Sequence, residues 1–336
     1  MKAPPSLNVN FLTTTNKNNG YGMTREHLLE YLPPEGIILD TEYKDQDITL
    51  ILHIPPAIQH AKGKVKVLYT MLEGDEVPNS WEPHLAMADR IIVPTSFVKE
   101  TFEKSGFHAD VIPLGYDSKT FKPVSRKEKT PYTFLHYEAF QDRKGWQEVL
   151  DAWLLSGLAE EEFSTQLILK TIKSYKEVYE ILQASPEIPL GYNVKIICGE
   201  LPHHALFDLL SEVDCFIFPS RGEGFSMPPL EAMATGLPVI LTKGHSHKDY
   251  YNEKYMYGVN SDIVIPARYS NWEDQGNFVR CSVDELAFTM KYVSINREEA
   301  RKKGGLSARY ARKYSFKNTA KALADYLWQM SGAQTQ

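Results

Sequence analysis

Cysteine is scarce in this chain: Cys198, Cys215 and Cys281 are too few, and odd in number, to build a disulfide framework. Two of them sit in apolar strand-like runs, so buried free thiols are expected rather than a bridge or a zinc site. Long apolar runs are missing as well. Ile48–Ile54 and Leu237–Leu241 fall far short of the roughly 20 residues that a membrane-crossing helix needs. The opening Met1-Lys2-Ala3-Pro4-Pro5 leads into a polar strand-like segment without the apolar core of a secretory signal, so a cytoplasmic location is the simplest expectation. Positive charge is not in excess: the net charge is −6, neither half is basic, and tight duplex binding is not anticipated. Solenoid-period repeats and low-complexity tracts are also lacking.

What is present is ordinary globular material, 43% hydrophobic and 24% charged, which can bury a real core. At 336 residues the chain exceeds what one core usually organises, so two domains are expected. Short β-branched runs alternate with helical patterns. Strands are expected at Leu7–Leu12, Ile37–Asp40, Ile48–His53, Val65–Thr70, Arg90–Pro94, Asp110–Pro113, Tyr132–Tyr137, Gln166–Lys170, Asn193–Cys198, Asp214–Phe218 and Pro238–Leu241. Helices fit Thr24–Leu32, Ser96–Ser105, Gly145–Leu155, Tyr175–Ala184, His203–Glu212 and Pro229–Thr235, and after residue 282 the pattern stays helical. Such alternation means parallel sheets covered on both faces. The polar stretch from Lys122 to Pro131, bracketed by prolines, reads as a linker. The expected organisation is a domain over 1–123, a linker over 124–131, a domain over 132–314 and a final helix over 315–336 packing back toward the first domain. Ligands of doubly wound sheets bind at the strands' carboxyl ends, which here points to a central cleft between two Rossmann-like domains.

The most informative stretch runs from Phe216 to Ile240. It reads as a strand, a loop containing Gly222, Glu223, Gly224, Phe225, Ser226 and Met227, and a helix opening at Pro228 or Pro229 ahead of Leu230. The glycines permit backbone conformations and close ligand approach that a side chain would block, and proline at a helix start forgoes an N–H that has no helical partner anyway. Free N–H groups and the positive helix end then make a seat for a phosphate. Two carboxylates frame that seat, Glu223 in the loop and Glu231 about two turns into the helix; carboxylates accept hydrogen bonds from paired sugar hydroxyls.

This stretch resembles the Glu-(seven residues)-Glu signature of retaining glycosyltransferases of the GT-B fold, particularly their large fourth family. The resemblance extends to the Gly-Phe after the first Glu and to Glu231-Ala232-Met233-Ala234-Thr235-Gly236-Leu237-Pro238-Val239. It implies that Glu223 contacts the donor sugar and Glu231 the ribose of the nucleotide. Gln141-Asp142-Arg143-Lys144-Gly145-Trp146 is similar to the family's Arg-Lys-Gly element, which implies that Lys144 faces the donor phosphates with Arg143 beside it. Tyr69-Thr70-Met71-Leu72-Glu73, Trp81, the run Ala88–Ser96 and the turn Pro113–Asp117 follow the same order, and Gly20, Tyr21 and Gly22 stand where the family has its first-domain glycine loop. The family implies sugar transfer from a nucleotide-diphosphate sugar, UDP or GDP by default, with retained anomeric configuration and neither metal nor other cofactor. The acceptor is open among glycan, lipid-linked sugar, protein, small molecule and modified DNA base, and so is the oligomeric state.

The chain also departs from that pattern. Many relatives carry an arginine six residues before the lysine of Arg-Lys-Gly, where this chain has Glu138. Many have a first-domain histidine near the reacting centre, where Glu73 stands as a candidate acceptor-side base. Asp45-Gln46-Asp47 mimics a metal-binding Asp-x-Asp but sits in a polar turn before a strand. His245 and His247 follow a strand and could touch the donor, His136 and His53 read as satisfied histidines, and Trp272 as local packing. A catalytically inactive GT-B-like module binding a sugar nucleotide or a protein is the alternative, and a phosphorylase or epimerase of similar architecture is a third possibility.

Overall fold

The computed structural model describes residues 5–16, 19–42, 46–160, 164–183, 193–267 and 274–332; Asp45, Ala184 and Trp272 lie outside them. The chain forms two compact units, one gathering Met1–Asp117, Ala267–Gly276 and Lys313–Gln336, the other Ser118–Pro266 and Asn277–Arg312.

In the first unit come β1 (Leu7–Thr13), α1 (Gly20–Tyr31), β2 (Ile37–Asp40), β3 (Ile48–Leu52), β4 (Val65–Tyr69), the short α2 (Glu82–Leu85), β5 (Arg90–Val93), α3 (Ser96–Lys104) and β6 (Asp110–Val111). All six strands are parallel, in the order β2-β1-β3-β4-β5-β6. Every residue of β3 is buried, as a central strand with both faces covered requires. Ile51, Leu68, Leu72, Trp81, Val93 and Phe102 meet in one core. Helix α3 begins where Thr95 Oγ1 accepts from the Val98 N–H. Helix α1 begins four residues earlier than expected, because the Asn19 side chain caps the Gly22 N–H at 2.8 Å.

The second unit holds β7 (Tyr132–Tyr137), α4 (Trp146–Leu155), β8 (Thr165–Lys170), α5 (Tyr175–Gln183), β9 (Val194–Ile197), α6 (His203–Glu212), β10 (Cys215–Phe218), α7 (Pro228–Ala234), β11 (Val239–Thr242), β12 (Tyr257–Val259), β13 (Ile263–Pro266), β14 (Asn277–Arg280), α8 (Val283–Ile295) and α9 (Arg297–Ala311). Its parallel sheet runs β12-β11-β10-β7-β8-β9, and β13 and β14 pair as an antiparallel hairpin. Phe134, Trp146, Leu150, Trp153, Leu167, Ile217 and Met290 fill the core. Strand β12 and the hairpin were not anticipated from the sequence. Residues expected to form a linker are tied to this unit: the Val124 N–H bonds Thr235 O, and the Arg126 guanidinium bonds the carbonyls of Leu210, Val213 and Thr235.

The last helix, α10 (Phe316–Met330), belongs to the first unit and packs on α1. Gly115 makes this return possible, since a Cβ there would stand 2.3 Å from Ser315 C. His27 stacks on Phe316 with centroids 4.2 Å apart, Thr319 Oγ1 bonds Pro113 O, and Tyr326 OH donates to Asp110 Oδ2.

Candidate active site

Strand order reverses between β7 and β10, and in doubly wound sheets ligands gather at the carboxyl ends of the strands flanking such a point. Two loops meet there. After β7 come Glu138 and a 3₁₀ turn, Asp142–Lys144, closed by Gly145 in the left-handed conformation at φ +73°. A Cβ on Gly145 would lie 2.2 Å from Pro219 O, so only glycine brings this turn against the end of β10. After β10, the Arg221 N–H donates to Arg143 O at 2.7 Å and Ser220 Oγ lies 3.0 Å from the same oxygen, stitching the loops together.

The stitching converges charged groups. Lys144 Nζ lies 2.7 Å from Glu223 Oε1 and 3.2 Å from Glu138 Oε1. Arg143 Nη1 lies 3.0 Å from Glu223 Oε1, and Ser220 Oγ donates to the same oxygen at 2.7 Å. All of these contacts fall on Oε1; among the described residues Oε2 of Glu223 has no protein donor. Burial pushes the Glu223 carboxyl up, but Lys144 and Arg143, helped by Ser220, outweigh it and hold the group well below the usual carboxylate range. Glu138 is pushed up, by burial first and by the nearby Glu223, with Lys144 only partly opposing. The sequence therefore singled out Glu223, Lys144 and Arg143 together, whereas Ser220 carried no signal of its own. Glu138, seen only as the loss of an arginine, is a second carboxylate on Lys144.

Glu231 is buried at 7% exposure, and it lies in the first turn of α7 rather than two turns in. The helix is short: it opens at Pro228 and ends before Gly236, which is left-handed at φ +83°. The conformational role expected of Gly222 and Gly224 falls instead to Ser226, the left-handed residue of this loop at φ +78°. That conformation costs a non-glycine residue about 1–2 kcal/mol, and a buried chain of hydrogen bonds offsets it. Ser226 Oγ lies 3.1 Å from His247 Nε2, His247 Nδ1 is 3.0 Å from Thr242 O, and Thr242 Oγ1 donates to Ser220 O at 2.7 Å. The carbonyl partner assigns the proton to Nδ1, leaving Nε2 to accept from Ser226. His247 thus positions the loop from beneath, and burial lowers its pKa to about 4. His245 is left-handed and buried in the same segment. Phe225 packs toward Tyr250 and Leu230 is fully buried, so both act as packing residues of the loop and Met227 is nearly so. Arg221 leaves the cluster for a two-pronged bond with Glu148, at 2.8 and 3.0 Å. His136 is fully buried, its Nδ1 on Ile217 O and its Nε2 without a partner among the described residues, and burial lowers its pKa to about 4.

The remaining sequence candidates lie in the first unit. Gly20, Tyr21 and Gly22 form the first turn of α1, not a loop, at that sheet's own reversal between β1 and β3. Tyr21 stacks on His53 and its hydroxyl bonds Thr70 Oγ1 and the Met71 N–H, at 3.2 and 3.1 Å. Glu73 is half-buried in the bend after β4. The neighbouring Gly74 leaves room for Gln275, whose backbone oxygen would lie 2.1 Å from a Cβ there, and Glu76 N–H bonds that oxygen at 3.0 Å. Asp47 forms an exposed ion pair with Lys64 at 2.8 Å, and among the described residues no group of three or more His, Cys, Asp or Glu is arranged to hold a metal ion. No helix among them is long and apolar enough to cross a membrane.

Residues 117–274 match the family described as glycosyl transferases group 1. A protein of Sulfolobus islandicus filamentous virus designated glycosyltransferase 63 is 23% identical over 294 residues, covering 86% of this chain and 96% of its own. A GDP-mannose-dependent phosphatidylinositol dimannoside mannosyltransferase of Mycobacterium tuberculosis is 24% identical over 46% of this chain and 41% of its own. Among solved structures, sucrose-phosphate synthase from Thermosynechococcus elongatus superposes with a TM-score of 0.75 at 15% identity, covering 98% of this chain and all of that one. HepE of Anabaena in complex with UDP-glucose superposes at 0.71 and 13% identity, covering 96% and 100%. With a group 1 region across its second sheet and a fold shared along nearly its whole length, the chain is a glycosyltransferase of the GT-B fold.

Proposed function

We propose that the enzyme transfers a sugar from a UDP- or GDP-sugar to an acceptor hydroxyl, with retained anomeric configuration and without a metal ion. The observation that carries this is the convergence of Lys144 and Arg143 on Glu223 at the reversal point of the second sheet. Breaking the bond from sugar to diphosphate builds positive charge on the sugar and negative charge on the leaving phosphate. Preorganised cations meet the second, and here they are the Lys144 ammonium and the Arg143 guanidinium. Glu223, fully ionised, turns its unpartnered Oε2 to a donor-sugar hydroxyl. Glu231 takes the ribose diol, and the backbone of Gly222–Met227 lines the phosphates. Glu73 and the Gly20–Gly22 turn serve the acceptor side. Further support comes from the UDP-glucose bound by HepE and the GDP-mannose dependence of the mycobacterial relative.

The test is donor turnover. Purified enzyme incubated with UDP-glucose or GDP-mannose is expected to release the nucleoside diphosphate slowly by hydrolysis and faster with a suitable acceptor, at unchanged rate in excess chelator. Loss of activity on chelation, restored by magnesium or manganese, would remove the metal-free mechanism; no binding of either donor would remove the donor assignment.

A further inference from the structure

Lys144 is shared. Its ammonium lies between two buried carboxylates, 2.7 Å from Glu223 and 3.2 Å from Glu138. The two are not held equally. Glu223 has Lys144, Arg143 and the Ser220 hydroxyl on one oxygen, whereas Glu138 has Lys144 and, at 3.3 Å, the N–H of the adjoining Ala139. Two cations face two carboxylates, so the cluster is neutral as it stands. A nucleotide sugar brings a diphosphate carrying two further negative charges, which must draw on the same ammonium.

We propose that Glu138 takes up a proton from solvent when the donor binds and releases it when the nucleotide leaves. As the diphosphate claims Lys144, the carboxylate with fewer donors loses its counter-ion in a buried setting, where an uncompensated charge is far more costly than a neutral carboxyl. Protonation, Glu138–COO⁻ plus H⁺ giving Glu138–COOH, removes that charge and leaves a donor that can point at a phosphate oxygen. Burial, with Glu223 adding to it, already raises the affinity of Glu138 for a proton, and Lys144 is the main group opposing that. The surroundings are defined on each side. Arg143 and Lys144 face Glu138 from the turn after β7, and Glu223 from the loop after β10. Beside it on β7 is Tyr137, whose own surroundings include Glu200 and Glu231. From β8, Lys170 is spent on the carbonyls of Thr171 and Gly199. None of these supplies a replacement cation at hydrogen-bond distance.

The inference rests on the donor site proposed above, and calorimetry separates the two. UDP-glucose and GDP-mannose are titrated into the enzyme in buffers of different ionisation enthalpy; their diphosphate diesters have no ionisation of their own near neutrality. The expected result is uptake of up to about one proton per donor bound, with affinity falling up to about tenfold per pH unit above the Glu138 pKa. Glu138→Gln should abolish the uptake and flatten the pH dependence, and Glu138→Ala should do the same if the glutamine variant fails to fold. Binding without proton uptake, or uptake that survives both variants, would overturn the role of Glu138 and leave the donor site standing. Failure of both donors to bind the wild-type enzyme would overturn the donor site, and this inference with it.

Discussion

Glu223 and Glu231 are one loop apart, yet the groups around them differ enough to separate their effects. Glu223 is ionised by two cations and is proposed to give its other oxygen to the reacting sugar, so Glu223→Gln is expected to lower kcat by about 100-fold or more with a small change in KM. Glu231, proposed to hold ribose equally in ground and transition states, should raise KM when replaced by Ala while kcat changes little. Steady-state kinetics with varied donor checks both, and equal negligible effects would remove the pair from the mechanism. Lys144→Ala should cost about 100- to 1,000-fold in kcat. Arg143→Ala should cost less, because its guanidinium also holds Gly222 O at 2.9 Å. Unchanged turnover in a folded Lys144→Ala enzyme would contradict the proposed role.

At the scale of elements, Gly145 fixes where the two loops meet. Gly145→Ala combines a left-handed backbone with a clash against Pro219 O and should destabilise by roughly 2–5 kcal/mol, read as a lowered urea midpoint. Helix α7 depends on another close approach, since a Cβ on Gly304 of α9 would stand 2.3 Å from Gly236 O. The strands were legible in the sequence because buried parallel strands such as Ile48–Leu52 and Tyr132–His136 are short, mostly apolar runs with turns at both ends. Strand β12 and the hairpin escaped because three- and four-residue strands carry no period long enough to distinguish from loop. In the site, the pairing of Lys144 with Glu223 spans 79 positions, and the motifs put both at the same sheet edge. What they could not supply was contact detail: that Ser220 bridges the loops, that Ser226 takes the left-handed turn, and that His247 supports it. Each depends on backbone direction, which residue type alone leaves open.

Across the molecule, burial has removed charge from two histidines. His136 and His247 titrate at about 4 in the fold against an ordinary 6.5, so the unfolded chain binds more protons between those values. Stability should therefore be full above about pH 6.5 and fall as pH drops toward about 4, by up to roughly 3 kcal/mol per histidine. Urea denaturation at pH 7 and pH 5 checks this; His247→Asn should flatten part of the slope, and an unchanged slope would argue that His247 is already charged in the fold. The return of α10 to the first unit has a different consequence, one of time. A ribosome delivers β1 to β6 long before it delivers Phe316–Met330, and the face of α1 that meets α10 stays uncovered while the entire second sheet is being made. Domains generally mature in the order of synthesis, but here the earlier one closes last. A nascent chain arrested after residue 312 should accordingly hold a protease-resistant second unit beside a first unit that is still readily cut.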